Sequence, residues 1–157
     1  MLLLSSEINP LLIALGSDGG PNPRPEQSQP RTGHARRLNG PILIVEDDTD
    51  IRDTLAEILE YEGFDVVPAA SGQEALDRLR AGLLPGLILL DLMMPGINGW
   101  GVAGQLRQMP ALAEVPVVVV SGVCDIKSQT ASLQVDGCLA KPVEVERLLE
   151  TIHRFCH

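Results

Sequence analysis

Residues 87–99 read Leu-Ile-Leu-Leu-Asp-Leu-Met-Met-Pro-Gly-Ile-Asn-Gly, so an apolar run stops at Asp91 shortly before a turn. A run of four apolar residues bounded by turn residues is typical of a buried strand, because it is too short for a helix. Pro95 and Gly96 both favour a tight turn. The stretch therefore predicts a single carboxylate held at the end of a buried strand.

Similar short apolar runs recur along residues 41–157 and alternate with longer amphipathic stretches. We predict strands at 42–46, 65–69, 87–91, 117–121 and 137–140. We predict helices from an Asp50 N-cap to Gly63, from a Ser71–Glu74 capping box to the break at 82–85, and over 99–108, 126–134 and 143–155. This alternation predicts repeated βα units around a parallel sheet, and hence a doubly wound α/β fold.

The composition limits the classes of protein that fit. The chain has 157 residues, enough for one complete core but too few for a second domain of ordinary size. Residues 41–157 carry eight Lys or Arg against eighteen Asp or Glu, and only 3% of the chain is aromatic. Direct binding of nucleic acid is therefore not expected. Cys124, Cys138 and Cys156 form no CxxC pair, so we expect reduced thiols in the cytoplasm rather than disulfides or a zinc site.

The first 40 residues differ in character from the rest. An apolar start, interrupted by Glu7, Asn9 and Pro10, gives way to Gly, Pro, Ser, Gln and Arg. The start is too short and too interrupted for a membrane span, and we expect the rest to be a largely disordered linker. Residues 1–16 remain open between a short docking helix and an extension without a role.

Charged and hydroxyl side chains stand at or just after the ends of four predicted strands. In open parallel sheets ligands collect outside the carboxyl ends of the strands, so one fold would bring these side chains into one pocket. Neighbouring carboxylates need a cation, and hard oxygen ligands at an open site favour Mg²⁺. An aspartate can attack phosphorus, while an ammonium and a hydroxyl can contact phosphoryl oxygens. The residues concerned are Glu46, Asp47, Asp91, Ser121 and Lys141.

Four motifs make the stretch from residue 41 to the C-terminus resemble the receiver domain of bacterial response regulators. They are Ile-Leu-Ile-Val-Glu-Asp-Asp from residue 42, Leu-Asp-Leu-Met-Met-Pro-Gly-Ile-Asn-Gly from 90, Val-Ser-Gly from 120 and Lys-Pro from 141. The resemblance implies a (βα)5 sandwich with a flavodoxin-like sheet in the order 2-1-3-4-5. It also divides the chain into an N-terminal extension, 1–40, and a receiver domain, 41–157.

The resemblance assigns a role to each of these positions. It implies that Asp91 accepts a phosphoryl group from the phosphohistidine of a histidine kinase. Mg²⁺ would be held by Asp47, by Glu46 through water, by Asp91 and by the backbone carbonyl of Met93. Ser121 would donate a hydrogen bond to the phosphoryl group, and Lys141 would pair with the same group. Pro142 would fix the turn next to it.

The chain departs from the family pattern in three places. Cys138 stands where many receivers have a Tyr or Phe, so the usual coupling of hydroxyl and aromatic ring is expected to be altered. The stretch between Ser121 and Lys141 is about two residues short by comparison with the family, which predicts a clipped fourth helix. Met93 and Val123, each two positions after a site residue, are apolar, and we expect a long-lived phosphoryl group because nothing polar orients the attacking water.

Other functional classes remain to be weighed. A receiver-like interaction module that is never phosphorylated keeps the fold and works through the altered Cys138 face. A phosphatase with an aspartate nucleophile would need a second acid where Met93 stands. We therefore expect a phosphoacceptor rather than a turnover enzyme. Its expected partners are a sensor histidine kinase or phosphotransfer protein and, since the chain ends soon after the fifth predicted helix, a separate effector protein; monomer and phosphorylation-dependent dimer both stay open.

Overall fold

The computed structural model describes residues 38–122 and 134–156, in which strands and helices alternate along the chain. The strands are β1 (Ile42–Val45), β2 (Val66–Ala69), β3 (Leu87–Asp91), β4 (Val117–Ser121) and β5 (Gly137–Ala140). The helices are α1 (Thr49–Tyr61), α2 (Gly72–Arg80), α3 (Gly99–Leu106) and α4 (Val145–His153), with a 3-10 turn at Pro110–Leu112. Helix α4 corresponds to the fifth helix predicted from the sequence.

The five strands form one parallel sheet in the order β2-β1-β3-β4-β5, which confirms the predicted fold. All residues of β1 and β3 are buried, as expected for central strands of a parallel sheet covered on both faces. Their side chains alternate between two apolar clusters, so that Leu43 and Val45 belong to one cluster while Ile42 and Ile44 belong to the other. The sheet is thus packed against apolar side chains on both faces, and its carboxyl edge can position side chains.

Helix α1 begins differently from the prediction. The predicted cap, Asp50, lies inside the first turn, and the observed N-cap is Asp48. Asp48 has extended backbone angles and its Oδ1 accepts the Ile51 N–H at 3.1 Å, whereas Asp50 only places a negative charge near the helix N-terminus. Whether Asp48 or Asp50 caps the helix depends on backbone angles, which the spacing of the residues alone does not fix.

The other helices agree with the prediction in part, and two of them are shorter than predicted. The predicted Ser71 cap of α2 is confirmed, because Ser71 Oγ accepts the Glu74 N–H at 3.1 Å. The return bond of the predicted capping box is shifted by one residue, since Glu74 Oε2 accepts the Ala70 N–H at 2.9 Å rather than that of Ser71. Helix α3 ends at Leu106 rather than 108, and α4 covers only Val145–His153 of the predicted 143–155. Most of the predicted helix 126–134 lies outside the described residues, and so does the expected clipping of it.

Candidate functional site

The strand register brings the sequence-predicted site residues to one edge of the sheet. Val45 pairs with Leu90, so Glu46 follows β1 beside Asp91, the last residue of β3. On the other side of β3, Asp91 pairs with Val120, and Ser121 is the next residue of β4. Lys141 directly follows β5, and its N–H donates to the Ser121 carbonyl oxygen at 2.8 Å. Four neighbouring strands therefore deliver these side chains to one pocket.

Three carboxylates converge at this edge. Glu46, Asp47 and Asp91 each offer one oxygen, and these oxygens all lie within 4.8 Å of one another. Glu46 and Asp91 are each 2% exposed, whereas Asp47 faces solvent. In the described part of the chain this is the only group of acidic, histidine or cysteine side chains close enough to hold a metal ion. All the ligand atoms are oxygens and one side of the site is open, which fits Mg²⁺.

Lys141 neutralises part of this charge. Its Nζ lies 2.9 Å from Glu46 Oε2 and 3.3 Å from Asp91 Oδ2, and its peptide bond to Pro142 is cis. Burial acts to lower the pKa of Lys141, but the hydrogen bond to Glu46 and the charge of Asp91 outweigh it, so the pKa is raised. The ammonium form is therefore held firmly between the two buried carboxylates.

The buried surroundings of Glu46 shift the pKa of its carboxyl group upward. Burial raises the pKa of its carboxyl group, and the hydrogen bonds from Lys141 and from the Asp48 backbone only partly offset this effect. The Asp48 N–H donates to Glu46 Oε1 at 3.2 Å. Because ionisation of a buried carboxyl group costs free energy, a nearby cation is required to stabilise its charged form.

The loop after β3 shapes the surroundings of Asp91. The Met93 N–H donates to Asp91 Oδ1 at 3.1 Å, while the Met93 side chain is 75% exposed. Asn98 caps α3 by accepting the Gly101 N–H at 3.0 Å. Gly99 packs so closely on the strand that a Cβ there would lie 2.3 Å from the Asp91 carbonyl oxygen. Backbone contacts therefore fix where the Asp91 carboxylate points.

Of three further positions that the sequence singled out, two lie among the described residues. Ser121 is 6% exposed at the end of β4, next to Asp91 in register. Cys138 lies in β5, paired with Val119, and is half-buried against one apolar cluster. Val123 lies outside the described residues, so its predicted influence on phosphoryl lifetime stays a prediction.

A glycine spacing within α3 resembles a dinucleotide-binding fingerprint. Gly99, Gly101 and Gly104 stand in the order G-x-G-x-x-G, although this stretch begins eight residues after β3 ends rather than directly after it. Gly99 is required by close packing on the Asp91 backbone, and nothing lies within 4 Å of a Cβ built at Gly104. Packing within the chain thus accounts for Gly99 but not for Gly104, and the spacing does not indicate a nucleotide site.

Sequence reasoning missed Arg52. This side chain reaches back from α1 and its Nη1 donates to the carbonyl oxygen of Glu46 at 2.9 Å. The only signal in the sequence is its position four residues after the capping Asp48, one turn into the helix. A lone arginine at that spacing is ordinarily interpreted as part of a solvated helix face.

The fold and the site together define a class of protein. A parallel sheet in the order 2-1-3-4-5, with carboxylates and an ammonium at its carboxyl edge, is a doubly wound α/β domain of the flavodoxin-like kind, whose ligands bind at that edge. Within that class, residues 42–153 match the model of the response regulator receiver domain, and the chain belongs to this family.

Comparisons with individual proteins agree with this assignment. The chain is 34% identical over 113 residues to RpaA of Synechocystis, described as a DNA-binding dual master transcriptional regulator; the match covers 71% of this chain and 46% of RpaA. The chain spans about half the length of most of the curated relatives it matches. DNA binding is thus stated for a relative that is much longer than the shared region.

Solved structures resemble the domain over nearly their whole length. A putative response regulator from Chloroflexus aurantiacus has a TM-score of 0.69 at 30% identity, covering 74% of this chain and 96% of that one. The response regulator TrrA of Thermotoga maritima, solved in complex with Mg²⁺ and BeF, has a TM-score of 0.66 at 30% identity, covering 74% and 98%. Within residues 38–122 and 134–156, no helix is long and apolar enough to cross a membrane.

Proposed function

We propose that this protein is a phosphoacceptor switch whose Asp91 takes a phosphoryl group from the phosphohistidine of a sensor histidine kinase or a histidine phosphotransfer protein. An Asp91 carboxylate oxygen attacks phosphorus, the N–P bond of the donor breaks, and an aspartyl-phosphate forms as the histidine is released. The observation that carries the proposal is the buried Asp91 carboxylate, which lies against Lys141 Nζ at 3.3 Å within an acidic cluster of a receiver-family domain.

The acidic cluster suits a resident Mg²⁺ ion. Asp47 and Asp91 would bind it with the backbone carbonyl of Met93, and Glu46 would contribute through water. When bound, the ion would neutralise negative charge on the group being transferred. The oxygen-only donor set supports this choice of metal, as does the Mg²⁺ in the structure of the related TrrA.

Lys141 and Ser121 would act on the product. The ammonium, already within 3.3 Å of Asp91 Oδ2, would pair with a phosphoryl oxygen by a charge-assisted hydrogen bond. The Ser121 hydroxyl, at the end of the adjacent strand, would donate to another oxygen. These contacts exist only with the phosphorylated form, so they would shift the population of the domain toward a second conformation that a partner can recognise.

The proposal extends to partners and location. The domain over 41–157 would signal through a changed protein-binding surface in the cytoplasm and would not itself bind nucleic acid, since it carries eighteen acids against eight bases. It would accept and slowly lose a phosphoryl group rather than turn over an external substrate. Residues 1–40 would form an extension outside this domain.

The first test is intact-protein mass after incubation with acetyl phosphate. Wild type is expected to gain one phosphoryl group only when Mg²⁺ is present, and Asp91→Asn is expected to gain none. Asp136→Asn is a suitable control, because Asp136 is a described aspartate remote from the acidic cluster whose carboxylate accepts the Val117 N–H at 2.9 Å. A folded wild type without an adduct or affinity for Mg²⁺ would instead support the unphosphorylated interaction module, in which Cys138 replaces the family's aromatic residue.

A second test concerns the lifetime of the adduct. Met93→Gln is expected to speed its hydrolysis by about tenfold, because a polar side chain there can orient the attacking water, although less well than an evolved general base. Met93→Leu keeps the position apolar and is expected to leave the rate unchanged. Decay is followed by mass after the donor is removed; equal rates for the two variants would refute the explanation.

A further inference from the structure

The proposed metal ligands Glu46 and Asp47 sit in a very short connection. β1 ends at Val45 and α1 begins at Thr49, so only three residues join them. The Glu46 N–H still bonds to the Ala69 carbonyl oxygen at 3.1 Å, as a continuation of the sheet. The carbonyl groups of Glu46 and Asp47, however, lie past the last paired residue of β1 and before the first turn of α1. Their orientation must be set by something other than the strand ladder.

Arg52 contacts both of these carbonyl groups. Its Nη1 donates to the Glu46 carbonyl oxygen at 2.9 Å and lies 3.5 Å from that of Asp47. Its Nη2 lies 3.5 Å from Thr49 Oγ1, so the guanidinium spans the connection from one end to the other. The planar fork of a guanidinium suits such multiple contacts better than a lysine ammonium does. One side chain thus ties the end of β1 to the start of α1.

We propose that Arg52 is a positioning residue that raises the affinity of the acidic cluster for Mg²⁺ by holding the Glu46–Asp47 backbone in its binding geometry. The inference rests on the proposed function, because the metal site is part of it. Arg52 has no contact with the Asp91 carboxylate among the described interactions and acts through the ligand-bearing loop. Groups that orient metal ligands from outside typically account for about 10–100-fold in metal affinity.

Simple electrostatics predicts the opposite sign. A cation beside the cluster repels Mg²⁺, so removal of the positive charge alone would tighten binding. If Arg52 acts mainly by orienting the loop, its removal weakens binding even though the repulsion also disappears. The direction of the change therefore separates a positioning role from a mere effect of charge.

The test is a Mg²⁺ titration of the full chain, read by the heat of binding and independently by the rise in Tm with Mg²⁺ concentration. Arg52→Met is expected to bind Mg²⁺ about tenfold more weakly than wild type. Arg52→Lys keeps the charge but loses the planar guanidinium fork, and its Mg²⁺ affinity is expected to lie between those of wild type and Arg52→Met. The control is Arg147→Met, which removes the same charge from an exposed site on α4 and is expected to leave the affinity unchanged.

The results of the Mg²⁺ titrations distinguish the positioning role of Arg52 from the proposed metal site itself. Tighter or unchanged binding by Arg52→Met, beside a wild type that binds Mg²⁺, overturns the role of Arg52 and leaves the metal site intact. A wild type without affinity for Mg²⁺ overturns the metal site and the inference with it. If Arg52→Met fails to fold, Arg52→Lys decides: affinity equal to that of wild type overturns the inference, and weaker binding supports it.

Discussion

A Gly99→Ala variant is expected to lose about 3 kcal/mol of unfolding free energy, at the upper end of the usual cost of overpacking. The added Cβ would lie 2.3 Å from the carbonyl oxygen of Asp91 and 2.7 Å from Cα of Leu92. Both are backbone atoms, so no side-chain rotation can relieve the overlap. The Gly99 N–H also donates to the Leu92 carbonyl oxygen at 3.2 Å, and this bond would be lost if the segments moved apart.

Helix α3 provides a matched control for this measurement. Gly104 lies in the same helix, is exposed, and has nothing within 4 Å of a built Cβ. Gly104→Ala is therefore expected to gain about 0.5–1 kcal/mol, because alanine favours a helix interior over glycine. Urea denaturation of both variants should give changes of opposite sign. Equal stability of Gly99→Ala and wild type would contradict the close approach of α3 to β3.

The second large effect is expected from Lys141→Met in the absence of metal. Removal of one partner of a buried ion pair leaves the other charge uncompensated, which costs about 3–5 kcal/mol in fully buried cases. The Lys141 side chain is 23% exposed, so we expect the smaller loss of about 2 kcal/mol at pH 7.5. The loss arises because Glu46 and Asp91 remain buried without their cation.

The pH dependence of this loss follows from Glu46. Its pKa is already raised by burial, so the folded state binds a proton more tightly than the unfolded state does. As the pH falls through the folded pKa of Glu46, the carboxyl group becomes neutral. The ammonium of Lys141 then stabilises the folded state by a smaller amount. The deficit of Lys141→Met should therefore be smaller at pH 5 than at pH 7.5.

Chemical denaturation in EDTA at both pH values measures these differences. Arg147→Met again serves as the control, since its side chain is 78% exposed and its loss should change stability by less than about 0.5 kcal/mol. Addition of Mg²⁺ should stabilise Lys141→Met more than wild type, because the ion replaces the missing cation in the cluster. A Lys141→Met protein as stable as wild type in EDTA would contradict the proposed need for the ammonium.

The fold could be predicted from the sequence because it is determined by local patterns. Short apolar runs that end in Asp91 or Ser121 mark strands, and a parallel sheet aligns their carboxyl ends whatever lies between them. The positions of the predicted site residues at one edge follow from that geometry. The predicted sheet order came from the resemblance to a family, since apolar patterning does not specify which strands are neighbours.

What the sequence did not reveal depends on side-chain geometry over one turn of helix. Asp48 and Asp50 are equally good capping residues by type, and only the backbone angles of the connection decide between them. Arg52 resembles any exposed helical arginine until its guanidinium is seen on the Glu46 carbonyl group. Likewise, Gly99 and Gly104 look alike in the sequence, while their contacts show that one is needed for packing and the other is free to vary.

The ion pairs of Lys141 also bear on chemical modification. Acyl phosphates transfer acyl groups to lysine amines as well as phosphoryl groups to carboxylates, and only an unprotonated amine can act as the nucleophile. Because Glu46 and Asp91 raise the pKa of Lys141, the unprotonated fraction of this amine is smaller than that of an ordinary lysine. If Asp91 is the phosphoacceptor we propose, the contacts that Lys141 makes with Asp91 and Glu46 would thus also protect the lysine from acetylation by the same reagent.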